Sequence, residues 1–107
     1  MVQHIVLWRM ADHLKTAEEI VAAKAAIKAR LEGLIGVIDG IVSLRVETDL
    51  LPGSNADIAL YSLFTSAEAL AAYQVHPAHV EASGFVGERV QGRACGDFLV
   101  DERGAVS

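Results

Sequence analysis

Between His4 and Met10 apolar side chains fall on both parities of the chain. Val6 and Trp8 alternate with His4 on one face, and Ile5 and Leu7 with Arg9 on the other. A strand apolar on both faces is covered on both. Thr16-Ala17-Glu18-Glu19 then matches a capping box, and Ile20, Ala23, Ile27, Leu31 and Leu34 recur at helical spacing, which predicts the longest helix over about 16–34. Gly36 and Gly40 lead into a second strand from Ile41 to Thr48, where Val42, Leu44 and Val46 alternate with Ser43, Arg45 and Glu47. The turn-rich Leu51-Pro52-Gly53-Ser54-Asn55 joins it to a third strand, Asp57 to Phe64, apolar on both faces like the first.

Thr65-Ser66-Ala67-Glu68 reads as a second capping box, opening a short helix through Leu70 and Tyr73. Pro77 lacks the amide that helix needs and disfavours helical torsions at His76, so the helix breaks there. Pro77 then suits the first turn of another helix, with His76 at or near its N-cap, running to about Phe85. A last strand covers Val90 to Asp101, loosened by Gly92 and Gly96. The order strand, helix, strand, strand, helix, strand predicts an α+β, ferredoxin-like antiparallel four-stranded sheet with its helices on one face. One domain spans residues 2–101, followed by a frayed tail at 102–107. Because the first and third strands are apolar on both sides, the open face needs a cover, and a second copy of the same face supplies one. The expected assembly is a homodimer joined sheet to sheet.

Composition sharpens this expectation. The chain has 107 residues, enough for one core, and 52% of them are hydrophobic against 21% charged, rich for so small a domain. With 14 acidic and 9 scattered basic residues, neither nucleic acid nor an anionic membrane is an expected partner. The opening MVQHIVLWRM has no basic leader region or small-residue cleavage site, and no stretch approaches a membrane span, so the expected location is cytoplasmic. Cys95 is the single cysteine, which removes any intrachain disulfide or CxxC motif.

The candidate chemistry lies in Tyr73-Gln-Val-His76-Pro-Ala-His79, which brings a phenol and two imidazoles around the break. His79 is suited to general acid–base work near neutral pH, with Tyr73 to orient it or donate to an oxyanion. The bland alternative is that His76 caps a helix while His79 fills a half-buried position. A metal reading of His76-x-x-His79 needs a third ligand, such as Glu81 or His4, and no tight cluster supplies it; neither a metal nor another cofactor is expected. His4, Val6 and Trp8 share one strand parity, and Asp57 shares the parity of Ala59 and Tyr61. If both parities look toward the helices, His4, Val6, Trp8, Asp57, Ala59 and His76 line a pocket. Core packing is the competing role for Trp8, Tyr61 and Phe64.

Taken together, His4-Ile-Val-Leu-Trp, the Gly-rich approach to the second strand, Leu63-Phe64-Thr65-Ser66, Tyr73 and His76-Pro-Ala-His79 resemble the stress-responsive alpha/beta barrel (Dabb) family over about residues 2–101. The resemblance implies a dimeric alpha+beta barrel. It also implies a catalytic Tyr73 and His79 and a pocket His4, because one plant member cyclises a linear polyketide thioester without a cofactor through matching residues. The chain departs from that member at Asp57, where the cyclase has a further pocket histidine, and at Val21, Ala22, Ala23 and Ala25, where it has tunnel-shaping aromatics. Most members have no established activity.

Two readings follow from different classes. In one, the protein is a cofactor-free, polyketide cyclase-like enzyme acting on a small apolar or carbonyl-containing ligand, with His79 as base. In the other, it is a non-catalytic dimer that binds a small ligand or serves as a stress-associated accessory protein. Related barrels also include cofactor-independent monooxygenases and haem-handling proteins, although no residue here points to either.

Overall fold

Residues 1–101 are described by a computed structural model, in which the two parities of the first strand become the two faces of β1 (Val2–Met10). The even-numbered residues Val2, His4, Val6, Trp8 and Met10 are all buried, whereas Leu7 and Arg9 are exposed. β2 (Ile41–Glu47) and β3 (Ile58–Phe64) form the hairpin expected from their flanking turn residues, and β4 (Val90–Leu99) closes the sheet. All neighbouring pairs are antiparallel, in the order β2-β3-β1-β4. This is the ferredoxin-like arrangement, with β1 and β3 at the centre. The expected tail at 102–107 lies outside the described residues.

Register decides which residues share a face. Val6 stands opposite Leu60 and His4 opposite Ser62, so Ile58, Leu60, Ser62 and Phe64 join the even-numbered residues of β1 beneath the helices. Helix α1 (Ala17–Glu32) buries Ala23, Ile27 and Leu31 against this layer. Thr16 and Glu19 form the reciprocal capping box at its start, satisfying two backbone amides that have no helical partner. On the far face, no element among the described residues covers Ile5, Leu7, Ala59, Tyr61, Leu63 and Phe98, and Leu7 (37%), Tyr61 (37%) and Phe98 (39%) are exposed.

Helix α2 (Ala67–Val75) begins one residue later than its expected capping box. Ser66, not Thr65, is the N-cap, and its hydroxyl accepts from the amide of Ala69, so Glu68 cannot close a reciprocal box. Gly40 explains the tight entry to β2: its φ is +92°, and a Cβ there would approach the Ala69 Cβ to 2.7 Å. Helix α3 (Pro77–Gly87) follows α2 after a single extended residue, His76, whose Nδ1 accepts from the amide of Ala78 at 3.0 Å. Pro77 occupies the first turn, where the absence of its amide costs nothing.

Candidate functional site

The His-Pro break turns α3 back so that the rings of Tyr73 and His79 meet. Their centroids are 4.3 Å apart at an interplanar angle of 47°. Tyr73 also packs on Phe64 at 4.8 Å, and the His4 ring lies edge-on at 6.5 Å. His4, Tyr73 and His79 form the floor of a cavity of about 290 Å³ between the sheet and the helices. Its other walls include Val6, Trp8 and Leu60 from the sheet and Leu31 from α1.

Each polar group in the floor has a distinct environment. Tyr73 is fully buried, and its hydroxyl has no hydrogen-bond partner among the described residues. Burial disfavours the phenolate and pushes its pKa up to about 12, so the group stays a proton donor at neutral pH. His79 is half-buried and its pKa is lowered, first by burial, with smaller contributions from the positive fields of His4 and Arg93; the Gln74 carbonyl opposes these. His79 Nδ1 lies 3.1 Å from that carbonyl oxygen. A carbonyl can only accept, so the neutral ring carries its proton on Nδ1 and Nε2 retains the basic lone pair.

His4 is buried and donates from Nδ1 to the Asp97 carboxylate across the β1–β4 pair at 2.5 Å. This contact fixes the imidazole on the cavity floor. One ligand atom each from His4, Cys95 and Asp97 lies within 4.8 Å of the others, a nitrogen–sulfur–oxygen set of the kind a divalent transition ion accepts. Cys95 and Asp97 are exposed, and Asp97 already engages the His4 nitrogen.

The residues expected to line the pocket divide into two groups. His4, Val6 and Trp8 reach the cavity with Tyr73 and His79. Asp57, Ala59 and His76 do not. Ala59 pairs with Leu7 and so shares the open face of the sheet. Asp57 precedes β3, where its carboxylate accepts from the amide of Met10 at 2.8 Å and its own amide donates to the Trp8 carbonyl, closing the end of the ladder. His76 is committed to the α3 cap. From α1 the cavity receives Leu31, not the Val21 to Ala25 stretch, since Ala23 packs in the core and Val21 is exposed.

No local pattern in the sequence singles out Asp97 and Arg93, because Gly92 and Gly96 weaken the β4 alternation and its partners are distant in the chain. Arg93, Gln91 and Gly92 form part of the cavity wall. The alternation of β4 about its pairing with β1 was the available signal, but a bulge displaces it: Leu7 pairs with Ala94 and Arg9 with Gln91, leaving Gly92 and Arg93 opposite Trp8.

Residues 2–100 match the family described as Stress responsive A/B Barrel Domain, Dabb. Among solved structures, a dimeric protein of unknown function with a ferredoxin-like fold from Bacteroides fragilis is 33% identical, covering 92% of this chain and 95% of that one at a TM-score of 0.83. A dimeric ferredoxin-like protein of unknown function from Jannaschia is 23% identical, covering 92% and 98% at a TM-score of 0.74. Hydroxynitrile lyase from Passiflora edulis is 18% identical, covering 94% of each chain at a TM-score of 0.67, a likeness of fold alone. No curated protein matches the chain.

Proposed function

Since this chain belongs to the stress responsive A/B barrel domain family, we propose from its own site that it is a cofactor-free enzyme of carbon-acid chemistry. The observation that carries the reading is the pairing of a buried Tyr73 hydroxyl, without a hydrogen-bond partner among the described residues, with a His79 whose proton is held on Nδ1. His79 Nε2 takes a proton from a carbon next to a carbonyl. The C–H bond breaks, an N–H bond forms, and the electron pair moves onto the carbonyl oxygen as an enolate. Tyr73 donates its hydroxyl hydrogen bond to that oxygen. Val6, Trp8, Leu31 and Leu60 keep the enolate apart from bulk water. The carbanion then adds to a second carbonyl of the same substrate, a polyketide cyclase-like aldol closure, and the proton on His79 passes to the new alkoxide.

The working unit in this proposal is a homodimer joined through the open sheet face. Ile5, Leu7, Tyr61, Leu63 and Phe98 give that face an apolar centre, and the Bacteroides and Jannaschia proteins are described as dimeric. No helix among the described residues is long and apolar enough to cross a membrane. The acidic composition and single cysteine support a cytoplasmic setting.

The test is proton exchange. In deuterated water the protein should speed loss of the central methylene signal of a diketone such as benzoylacetone, read by proton NMR. His79→Ala should lose about a hundredfold to ten-thousandfold of that rate. Equal exchange with wild type and His79→Ala would leave the non-catalytic binding role as the better reading.

A further inference from the structure

The charges around the cavity differ in kind from those of the rest of the molecule. The chain has a formal net charge of −5, yet among the described residues no aspartate or glutamate lines the cavity. Its lining titratable groups are His4, Tyr73, His79 and Arg93, of which only the guanidinium is permanently charged. Among the described residues Arg93 makes no ion pair, whereas Arg30, Arg45 and Arg89 each have a carboxylate within 4.0 Å. Arg30 and Arg89 also stack on Phe85, and Arg45 stacks on Tyr61.

Backbone geometry aims this cation. The bulge in β4 sets Gly92 and Arg93 against Trp8, a cavity residue. Gly92 has a φ of +61°, and a Cβ there would come within 3.0 Å of the Arg9 Nε, so glycine suits the position on both grounds. From there β4 alternates, placing Arg93, Cys95 and Asp97 on the helix-facing side while Ala94 pairs with Leu7 on the other. Asp97 is taken by His4, so it does not neutralise Arg93. A planar guanidinium at the rim of an apolar cavity recognises a carboxylate through two parallel hydrogen bonds.

We propose that the substrate of this site is an anion, a carbonyl compound bearing a carboxylate that Arg93 anchors at the β4 wall while the carbonyl end lies between Tyr73 and His79. This deepens the proton-abstraction reading and rests on it for the identity of the reacting end. The anchoring itself is separable. Arg93 binds the non-reacting end, making it a specificity residue that acts on KM more than on kcat.

Trp8 is the single tryptophan and lines the cavity, so its fluorescence reports occupancy without any turnover. The probes are benzoylacetate and its neutral ethyl ester. Wild type should bind benzoylacetate about tenfold to a hundredfold more tightly than the ester, the range expected of a charged hydrogen-bonded pair. Arg93→Met should remove that preference by weakening acid binding far more than ester binding, and Arg93→Lys should restore part of it. Equal binding of acid and ester by wild type, an equal loss of both in Arg93→Met, or no saturable quenching by either probe would overturn the assignment. Selective acid binding without methylene exchange would refute the catalytic reading and retain the anion site; exchange without acid preference would do the reverse.

Discussion

His79 Nδ1 lies 3.1 Å from the carbonyl oxygen of Gln74, a residue of the preceding helix, so the bend at Pro77 selects the tautomer of the imidazole beyond it. Nε2 is therefore the basic nitrogen, and its pKa is held below the ordinary 6.5 chiefly by burial. The exchange rate should be flat above neutrality and fall as pH drops through a value below 6.5, because protonation removes the base. A pH–rate profile checks this, and an inflection above 6.5 would contradict it. Stability should follow the same sign. Between the folded pKa and 6.5 the unfolded chain binds the His79 proton more readily, so protonation in that window favours unfolding.

Tyr73→Phe should separate activity from stability. The hydroxyl is buried without a partner, a condition that costs about 1–3 kcal/mol, so its removal should leave the melting temperature unchanged or higher. Loss of the enolate donor should lower exchange by about a hundredfold or more. Thermal denaturation beside the exchange assay reads both, and a destabilised variant with full activity would contradict both expectations.

His76 offers the complementary case. It caps α3 through Nδ1 and does not line the cavity. His76→Ala should cost about 0.5–2 kcal/mol of stability, the usual range for a lost N-cap, with exchange per folded molecule retained. His76→Asn should recover most of the stability. Denaturant titration measures the loss, and a selective fall in rate at full stability would move His76 into the chemistry.

Leu7→Glu places a carboxylate at the centre of the uncovered sheet face while leaving the helix-facing layer intact. Sedimentation should show the homodimer giving way to monomer at micromolar concentration, with circular dichroism unchanged. A dimer that survives the substitution would place the interface elsewhere.

Much of this architecture is local, and that is the part the sequence discloses. Strand parity at His4, Val6 and Trp8, the Thr16–Glu19 capping box and the proline break each depend on neighbours a few residues away. The convergence of Tyr73 and His79 follows from the same break. Alternation alone, however, does not say which parity meets the helices; the burial of the even-numbered residues of β1 does, and the pairing of Leu7 with Ala59 then puts Ala59 on the open face, while Asp57 is held by the Met10 amide. The contacts of His4 with Asp97 and the position of Arg93 depend on a register between residues about ninety apart, displaced by a bulge that no local pattern announces.

That bulge gives the molecule a division of labour. The proposed reactive pair belongs to the helical hairpin and is held by ring packing and a cap, whereas position 93 belongs to an edge strand whose direction is set by the glycine before it. Under the proposal, a change of side chain at 93 alters which molecules are held while the ring packing of Tyr73 and His79 stays in place, and it relieves His79 of a positive field that lowers its pKa. In such a scaffold one strand residue can vary the molecule held while the ring geometry on the helices is kept, its charge trimming the basicity of the imidazole.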